Sequence, residues 1–191
     1  MTLGEGKRKV LMIIDEYSSG GSLTVDEDIN LKMNDFFDLA QRDVCQHKPI
    51  LKSTEVQLQR AAGSYQEIDL PQRFKKLYRV WYDDRLITNR VKLRAGKLLL
   101  PNLGSGRAVV EYTAHPAPID ANTPEDYEFE VAEDAAACMP YYVAGLQLLV
   151  DLVIDYTPPV GLYDRMLAKL DTSLPVEDLI KLALRGMAAG R

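Results

Sequence analysis

The chain is poor in the residues that build metal centres and disulfide frameworks. Its 191 residues include only two cysteines, Cys45 and Cys138, and two histidines, His47 and His115. A structural zinc ion usually takes four Cys or His ligands, and these residues lack the clustered spacing of such ligands. We therefore expect no metal and no cofactor, and both cysteines as buried thiols. The sequence does not decide whether the two cysteines form a disulfide, although a chain of this length does not need one.

Patterns typical of common enzymes and of membrane proteins are also missing. No serine stands in a Gly-x-Ser-x-Gly motif, and Val91 occupies the position where a phosphate-binding loop ending at Gly96-Lys97 would need glycine. The longest apolar run, 141–154, is interrupted by polar residues and is too short to span a bilayer. We expect a protein that is not an enzyme and has no membrane partner. A small hydrolase is an alternative, and it would need a pocket with convergent polar groups.

Helical periodicity is present near both ends of the chain. Thr2 with Glu5, and Thr24 with Glu27, have the spacing of capping boxes, and the glycines of 18–21 predict a turn between two helices. The predicted apolar stripes are Leu3, Val10, Leu11, Ile14 and Tyr17 on the first helix, and Ile29, Met33, Phe36, Phe37, Ala40 and Val44 on the second.

A third helix is predicted after Val131. It is apolar nearly all round, which indicates the central position in a bundle, and Pro140 is expected in its first turns. We expect Pro158-Pro159 to end this helix and residues 162–170 to form another one. Residues 173–191 are predicted to contain a last short helix and a frayed end.

The middle of the chain has the composition of strands. Phe74–Tyr82 is rich in aromatic and β-branched residues, and Asp83-Asp84 predicts the turn after it. Further strands are predicted at 91–100, with a break at Ala95-Gly96, and at 108–113. These patterns predict an α+β fold, in which a helical bundle of residues 1–48 and 133–172 carries an inserted β-rich domain at 49–132. The insertion is expected to be a small antiparallel sheet or sandwich.

The net charge of −5 hides a strong asymmetry within the insertion. Residues 73–97 contain nine basic residues against two acidic ones, whereas 120–134 contain seven acidic residues and no basic one. The basic residues are Arg73, Lys75, Lys76, Arg79, Arg85, Arg90, Lys92, Arg94 and Lys97, and the acidic ones are Asp120, Glu125, Asp126, Glu128, Glu130, Glu133 and Asp134. The two runs are either ordinary solvated surfaces or a matched pair of faces.

Aromatic residues interleave with the basic run, as they do in platforms on which nucleic-acid bases stack. Strand alternation, however, would send Tyr78 away from Arg79 and Phe74 away from Lys75, which places the aromatics in the core and the cations outside. This arrangement is ordinary for an amphipathic strand and does not favour base stacking. A DNA-binding accessory module that uses the basic 73–97 face is kept only as the alternative function.

The order of these parts resembles the head–tail adaptor (connector) proteins of tailed bacteriophages and, more distantly, the tail tubular or gatekeeper proteins of short-tailed phages. The resemblance covers roughly residues 2–170. It depends on Ile29-x3-Met33-x2-Phe36-Phe37-Asp38-x-Ala40-Gln41, the Gly96–Pro101 and Val109–Pro116 segments with Ile119-Asp120, Asp126-Tyr-Glu-x-Glu130, and Ala135-Ala-Ala-x-Met-Pro-Tyr-Tyr-Val143-Ala.

This resemblance implies a structural virion protein that is made in the cytoplasm of a bacterial host and assembles at the head–tail junction. The expected partners are further copies of the chain in a ring, commonly of twelve subunits, the portal protein, a downstream stopper or tail protein, and packaged DNA, which the channel would contact non-specifically. Family members often bind the portal through a terminal segment. The candidates for portal docking are Val176, Leu179, Ile180 and Leu184, which could equally pack on their own bundle.

The charge asymmetry suggests how such a ring could close. A head-to-tail contact joins two different surfaces, so a basic surface of one subunit can meet an acidic surface of the next. The candidate interface residues are Arg73, Lys75, Arg79, Arg90, Lys92 and Arg94 on the basic side and Glu125, Asp126, Glu128 and Glu130 on the acidic side.

Overall fold

The computed structural model describes residues 1–17, 27–151 and 156–170, and these residues form an α+β fold. The helices are α1 (Leu3–Tyr17), α2 (Glu27–His47), α3 (Glu133–Asp151) and α4 (Thr157–Leu167). The strands are β1 (Ile50–Leu58), β2 (Tyr65–Asp69), β3 (Phe74–Tyr82), β4 (Arg85–Leu86), β5 (Lys92–Arg94), β6 (Lys97–Pro101) and β7 (Gly106–Ala114), with a short 3-10 helix at Thr88–Arg90.

The described residues divide into two compact units. Residues 1–50 and 116–170 form a helical unit, and Leu51–His115 form a β unit. The division at His115 differs from the boundary expected near residue 132. Residues 116–132, called the return segment below, pair with the helices through hydrogen bonds that no sequence periodicity reveals.

Helix α3 is the centre of the helical unit, because α1, α2 and α4 all pack against it. The predicted stripes supply the core: Leu3, Val10 and Ile14 from α1, and Met33, Phe37, Ala40 and Val44 from α2, are buried. Cys45 and Cys138 are buried and not joined in a disulfide, and burial raises the pKa of Cys138.

The predicted first cap is confirmed. The Thr2 amide donates to Glu5 Oε2 at 2.9 Å, and the Glu5 amide donates to Thr2 Oγ1 at 3.2 Å. This reciprocal pair is a capping box, and the bond from Thr2 lowers the pKa of Glu5. The second predicted cap, at Thr24, and the glycine turn before it lie outside the described residues.

Two expectations about prolines are wrong. Pro140 lies inside α3, beyond its first turns, and Pro158-Pro159 belong to the first turn of α4 instead of preceding the helix. Helix α4 therefore begins at Thr157, five residues earlier than expected. Proline suits a first turn because its φ is already helical and the amide it lacks would have no partner there.

The β unit is a sandwich of two antiparallel sheets. One sheet has the strand order β1-β7-β3-β4, and the other has the order β2-β6-β5. Their facing side chains share one core, to which β3 and β7 contribute Val80 and Val110 while β6 contributes Leu98 and Leu100. The predicted turns at Asp83-Asp84 and Ala95-Gly96 are confirmed, since all four residues have positive φ.

Candidate assembly surfaces

The sandwich divides the basic run between two sheets. Lys75, Lys76 and Arg79 lie on β3, an inner strand of the four-stranded sheet, whereas Lys92 and Arg94 lie on β5 of the other sheet. Outward side chains of two packed sheets point in opposite directions. The single basic face expected from residues 73–97 is therefore absent, and the candidate residues form two separate groups.

On β3, alternation fails because the strand is bulged. The register with β7 shifts between Phe74 and Lys76 and again between Leu77 and Arg79, so Tyr78 is an extra residue opposite β7. Tyr78 and Arg79 consequently lie together. The Arg79 guanidinium is 4.3 Å from the Tyr78 ring centre, and it donates to the Tyr78 hydroxyl at 2.6 Å. The expectation that Tyr78 and Arg79 point to opposite sides is wrong at this pair.

The second basic group lies at one side of the sandwich, which we call the β4–β5 edge. Strands β4 and β5 are the last strands of their sheets, and only residues 87–91 connect them. The β4–β5 edge consists of the exposed residues Arg85, Leu86, Arg90, Lys92, Leu93 and Arg94. Its two leucines are 49% and 58% exposed, so the edge combines four cations with apolar surface and the unpaired backbone of two edge strands.

The acidic candidate residues of the predicted interface lie on the return segment. Three polar side chains of α2 form hydrogen bonds with this segment. Asn34 Nδ2 donates to the Asp120 carbonyl at 2.7 Å, and Asp38 Oδ1 accepts the Ile119 amide at 3.0 Å. Gln41, which is fully buried, donates to the Ala117 carbonyl at 3.1 Å and accepts the Glu130 amide at 3.2 Å.

Asn34, Asp38 and Gln41 follow one another at intervals of four and three residues, so they share one face of α2. The sequence alone assigned no role to these three polar residues. A pattern that could have indicated them was present, because they recur at helical spacing beside the apolar stripe. The positions of their backbone partners could not be read from the sequence.

Several acids of the return segment have structural partners. Glu125 accepts a 2.6 Å bond from Lys7 Nζ, and its carbonyl accepts the Gly4 amide. Glu130 accepts the Ala117 amide at 2.8 Å. Asp126 and Glu128 are exposed and form no ion pair among the described residues. Of the four acidic candidates, these two are the best placed to contact another molecule.

Asp134, which follows the return segment, pairs with Lys48 at 2.5 Å. This bond lowers the pKa of the carboxyl, although the Asp134 side chain is 47% exposed. The acidic run from 120 to 134 therefore does not act as one charged surface, because part of its charge is neutralised within the helical unit.

The portal-docking candidates Val176, Leu179, Ile180 and Leu184 lie outside the described residues. Over the residues that the structure describes, no group of His, Cys, Asp or Glu side chains could hold a metal ion. None of the helices in that part of the chain has the length and apolar character needed to cross a membrane. Comparison with protein-family models gives no match, and comparison with curated proteins gives none either.

Proposed function

We propose that the protein is a structural virion protein, a subunit of a head–tail connector ring at the head–tail junction of a tailed bacteriophage. In this role the ring docks to the portal, lines the channel for packaged DNA and provides a platform for the next neck or tail protein. The protein acts by assembly and not as an enzyme. The resemblance of residues 2–170 to the connector family supports this proposal, and so does the α+β architecture.

One observation of the structure carries the proposal. The β4–β5 edge of the β unit presents the exposed cations Lys92 and Arg94, and the helical unit presents Asp126 and Glu128 on a segment that part-buried hydrogen bonds with Gln41 join to α2. The two surfaces differ and carry opposite charge, as a head-to-tail contact between copies requires. Such charge pairing sets the register and the rate of association more than the affinity. The exposed Leu86 and Leu93 would supply apolar contact area at the same interface.

A charge-reversal experiment tests this contact. In the variant Lys92→Glu/Arg94→Glu, we expect ring formation to be lost, because both cations of the edge strand become anions that repel the acidic partner. Since ring closure can need the portal as a template, the protein is mixed with portal protein and imaged by negative stain, with sedimentation velocity as a second measurement. The compensating change Asp126→Lys/Glu128→Lys in the same chain should restore rings in part.

The control is Lys32→Glu/Lys169→Glu, which changes the net charge equally at two exposed positions of the helical unit. Rings should form normally in this control. Normal rings in the Lys92→Glu/Arg94→Glu variant would refute the proposed contact. Failure of the wild-type chain to form rings with or without portal would refute the connector function itself.

A DNA-binding accessory module is the second candidate, and the Arg79–Tyr78 pair on β3 favours it. Arg stacked on Tyr offers a cation beside an aromatic surface, a combination found in single-strand binding sites. This function predicts binding of DNA by the isolated monomer that weakens steeply with salt. A gel shift at low and at moderate salt, with Arg79→Gln as the variant, separates it from the connector function.

A further inference from the structure

A cleft at one end of the sandwich has a volume of about 390 Å³. It is lined by Tyr82, Asp83, Arg85, Ile87, Arg90 and Leu103, which come from the β3–β4 hairpin, the 3-10 helix and the loop between β6 and β7. The volume lies within the range of small-molecule sites, which is roughly 300–1,000 Å³. The lining combines an aromatic and aliphatic wall with two arginines.

Hydrogen bonds hold the walls of this cleft. The Ile87 amide donates to the Val80 carbonyl at 2.8 Å, and Thr88 Oγ1 accepts the Val80 amide at 2.8 Å, which fixes the 3-10 helix against β3. The Tyr82 hydroxyl makes a longer contact, at 3.4 Å, with the Leu103 carbonyl. A Cβ at Gly106 would come within 2.6 Å of the Tyr82 hydroxyl oxygen. Glycine at this position therefore allows the ring of Tyr82 to lie against the backbone of β7.

The charge balance of the cleft favours an anion. Arg85 and Arg90 are exposed, and neither forms an ion pair within the described part of the chain. The Asp83 carboxylate lines the same cleft, but its Oδ1 accepts the Arg107 amide at 3.0 Å, so part of its charge is already bound by the backbone. Two arginines and a single, partly engaged carboxylate thus line the cleft.

We propose that this cleft binds a phosphate monoester that carries an aromatic or apolar body. Arginine forms paired hydrogen bonds to phosphate oxygens, and two arginines match the charge of about −1.5 to −2 that a phosphate monoester carries at pH 7. The apolar wall of Tyr82, Ile87 and Leu103 takes the organic body. The same chemistry occurs in a free nucleotide and at the 5′-phosphorylated end of a nucleic acid, and the experiment distinguishes the two.

The test is isothermal titration of the full chain with adenosine 5′-monophosphate, adenosine, and a short single-stranded oligonucleotide with and without a 5′-phosphate. Adenosine 5′-monophosphate should bind at least about tenfold more tightly than adenosine, since charge-assisted hydrogen bonds supply the difference. Arg85→Gln and Arg90→Gln should each weaken this binding by about tenfold. Lys76→Gln, at an exposed position of β3 six residues before Tyr82, is the matched control and should bind like wild type.

The outcomes separate the sources of the ligand. Binding of the mononucleotide supports a free nucleotide, and binding of the 5′-phosphorylated oligonucleotide alone supports a nucleic-acid end. Equal binding of the oligonucleotide with and without its phosphate overturns the proposal, as does equal binding of the mononucleotide and adenosine. No binding of any probe at millimolar concentration also overturns it, and so does unchanged affinity in both arginine variants. Urea denaturation of each variant confirms that it is folded before titration.

Discussion

Gln41 joins helix α2 to both ends of the return segment, and the variant Gln41→Met tests whether this polar contact holds the acidic segment in place. Methionine has nearly the same length and volume as glutamine, so the core keeps its packing while both hydrogen bonds are lost. The Ala117 carbonyl and the Glu130 amide then lack the partners that they have at 3.1 and 3.2 Å.

The magnitude follows from these two backbone groups. A buried donor or acceptor left without a partner costs about 1–3 kcal/mol. Ala117 and Glu130 are half-buried, so water can reach part of each group, and we take the lower end for both. The free energy of unfolding should fall by about 2 kcal/mol, out of a total of about 5–15 kcal/mol for a typical domain.

Urea denaturation measures this loss as a lower midpoint with an unchanged slope. Hydrogen exchange gives a local measurement, because the Glu130 amide should lose protection while the amides in the middle of α2 keep theirs. The matched control is Gln46→Met, an exposed position on the same helix, where the change should stay within about 0.5 kcal/mol. A loss below about 1 kcal/mol for Gln41→Met, with Glu130 still protected, would refute the reasoning.

Three further variants test the packing and the electrostatics of the helical unit. Gly6→Ala should lower the free energy of unfolding by about 1–2 kcal/mol in urea denaturation, because its Cβ would lie 2.8 Å from Phe37 Cζ and overpacking outweighs the gain in helix propensity. Gly161→Ala, where nothing lies within 4 Å of the new Cβ, should instead stabilise by about 0.5–1 kcal/mol. Burial and the hydrogen bond to Asp43 raise the pKa of Tyr163 above its usual 10.0. The Tyr163 hydroxyl therefore loses its proton at lower pH in the unfolded chain than in the folded protein, so the free energy of unfolding falls as pH rises above 10. This loss, up to about 1.4 kcal/mol per pH unit, should be smaller in Tyr163→Phe when unfolding is measured between pH 9 and 11.

Opposite results would contradict these arguments directly. A stabilising Gly6→Ala would mean that Phe37 moves aside at little cost, and a destabilising Gly161→Ala would mean that α4 is not a regular helix there. Equal pH slopes in wild type and Tyr163→Phe would show that the hydroxyl ionises as readily in the folded protein as in the unfolded chain.

Local sequence patterns predicted helices α1, α2 and α3 and three of the strand regions, whereas the start of α4 was predicted five residues too late. The stripe on α2, for example, predicts Met33, Phe37, Ala40 and Val44 as core residues, and all four are fully buried. Strand β3 begins and ends where its composition predicts. The bounds of such elements can be predicted because burial of one face imposes a local period on the sequence, although the bulges in β3 break its strict alternation.

Strands β1 and β2 were not singled out by their composition. Strand β1 mixes Lys52, Ser53 and Glu55 with apolar residues, as the edge strand of a small sheet can, and β2 is mostly polar. Their strand structure depends on pairing with β7 and β6, which are distant in sequence. The bulge at Tyr78 is a similar case, because its position depends on the register with β7.

The sequence by itself determined the α+β class, the turns at Asp83-Asp84 and Ala95-Gly96, and the cap at Thr2, since each of these depends on residues close along the chain. Only the tertiary structure decided where the charges lie. It split one basic run between two sheets, gathered four cations at the β4–β5 edge, and used Glu125 and Glu130 for internal bonds while leaving Asp126 and Glu128 exposed. The physical reason is that a charge is available to a partner only if the fold has not already paired it, and pairing is decided by contacts between distant segments.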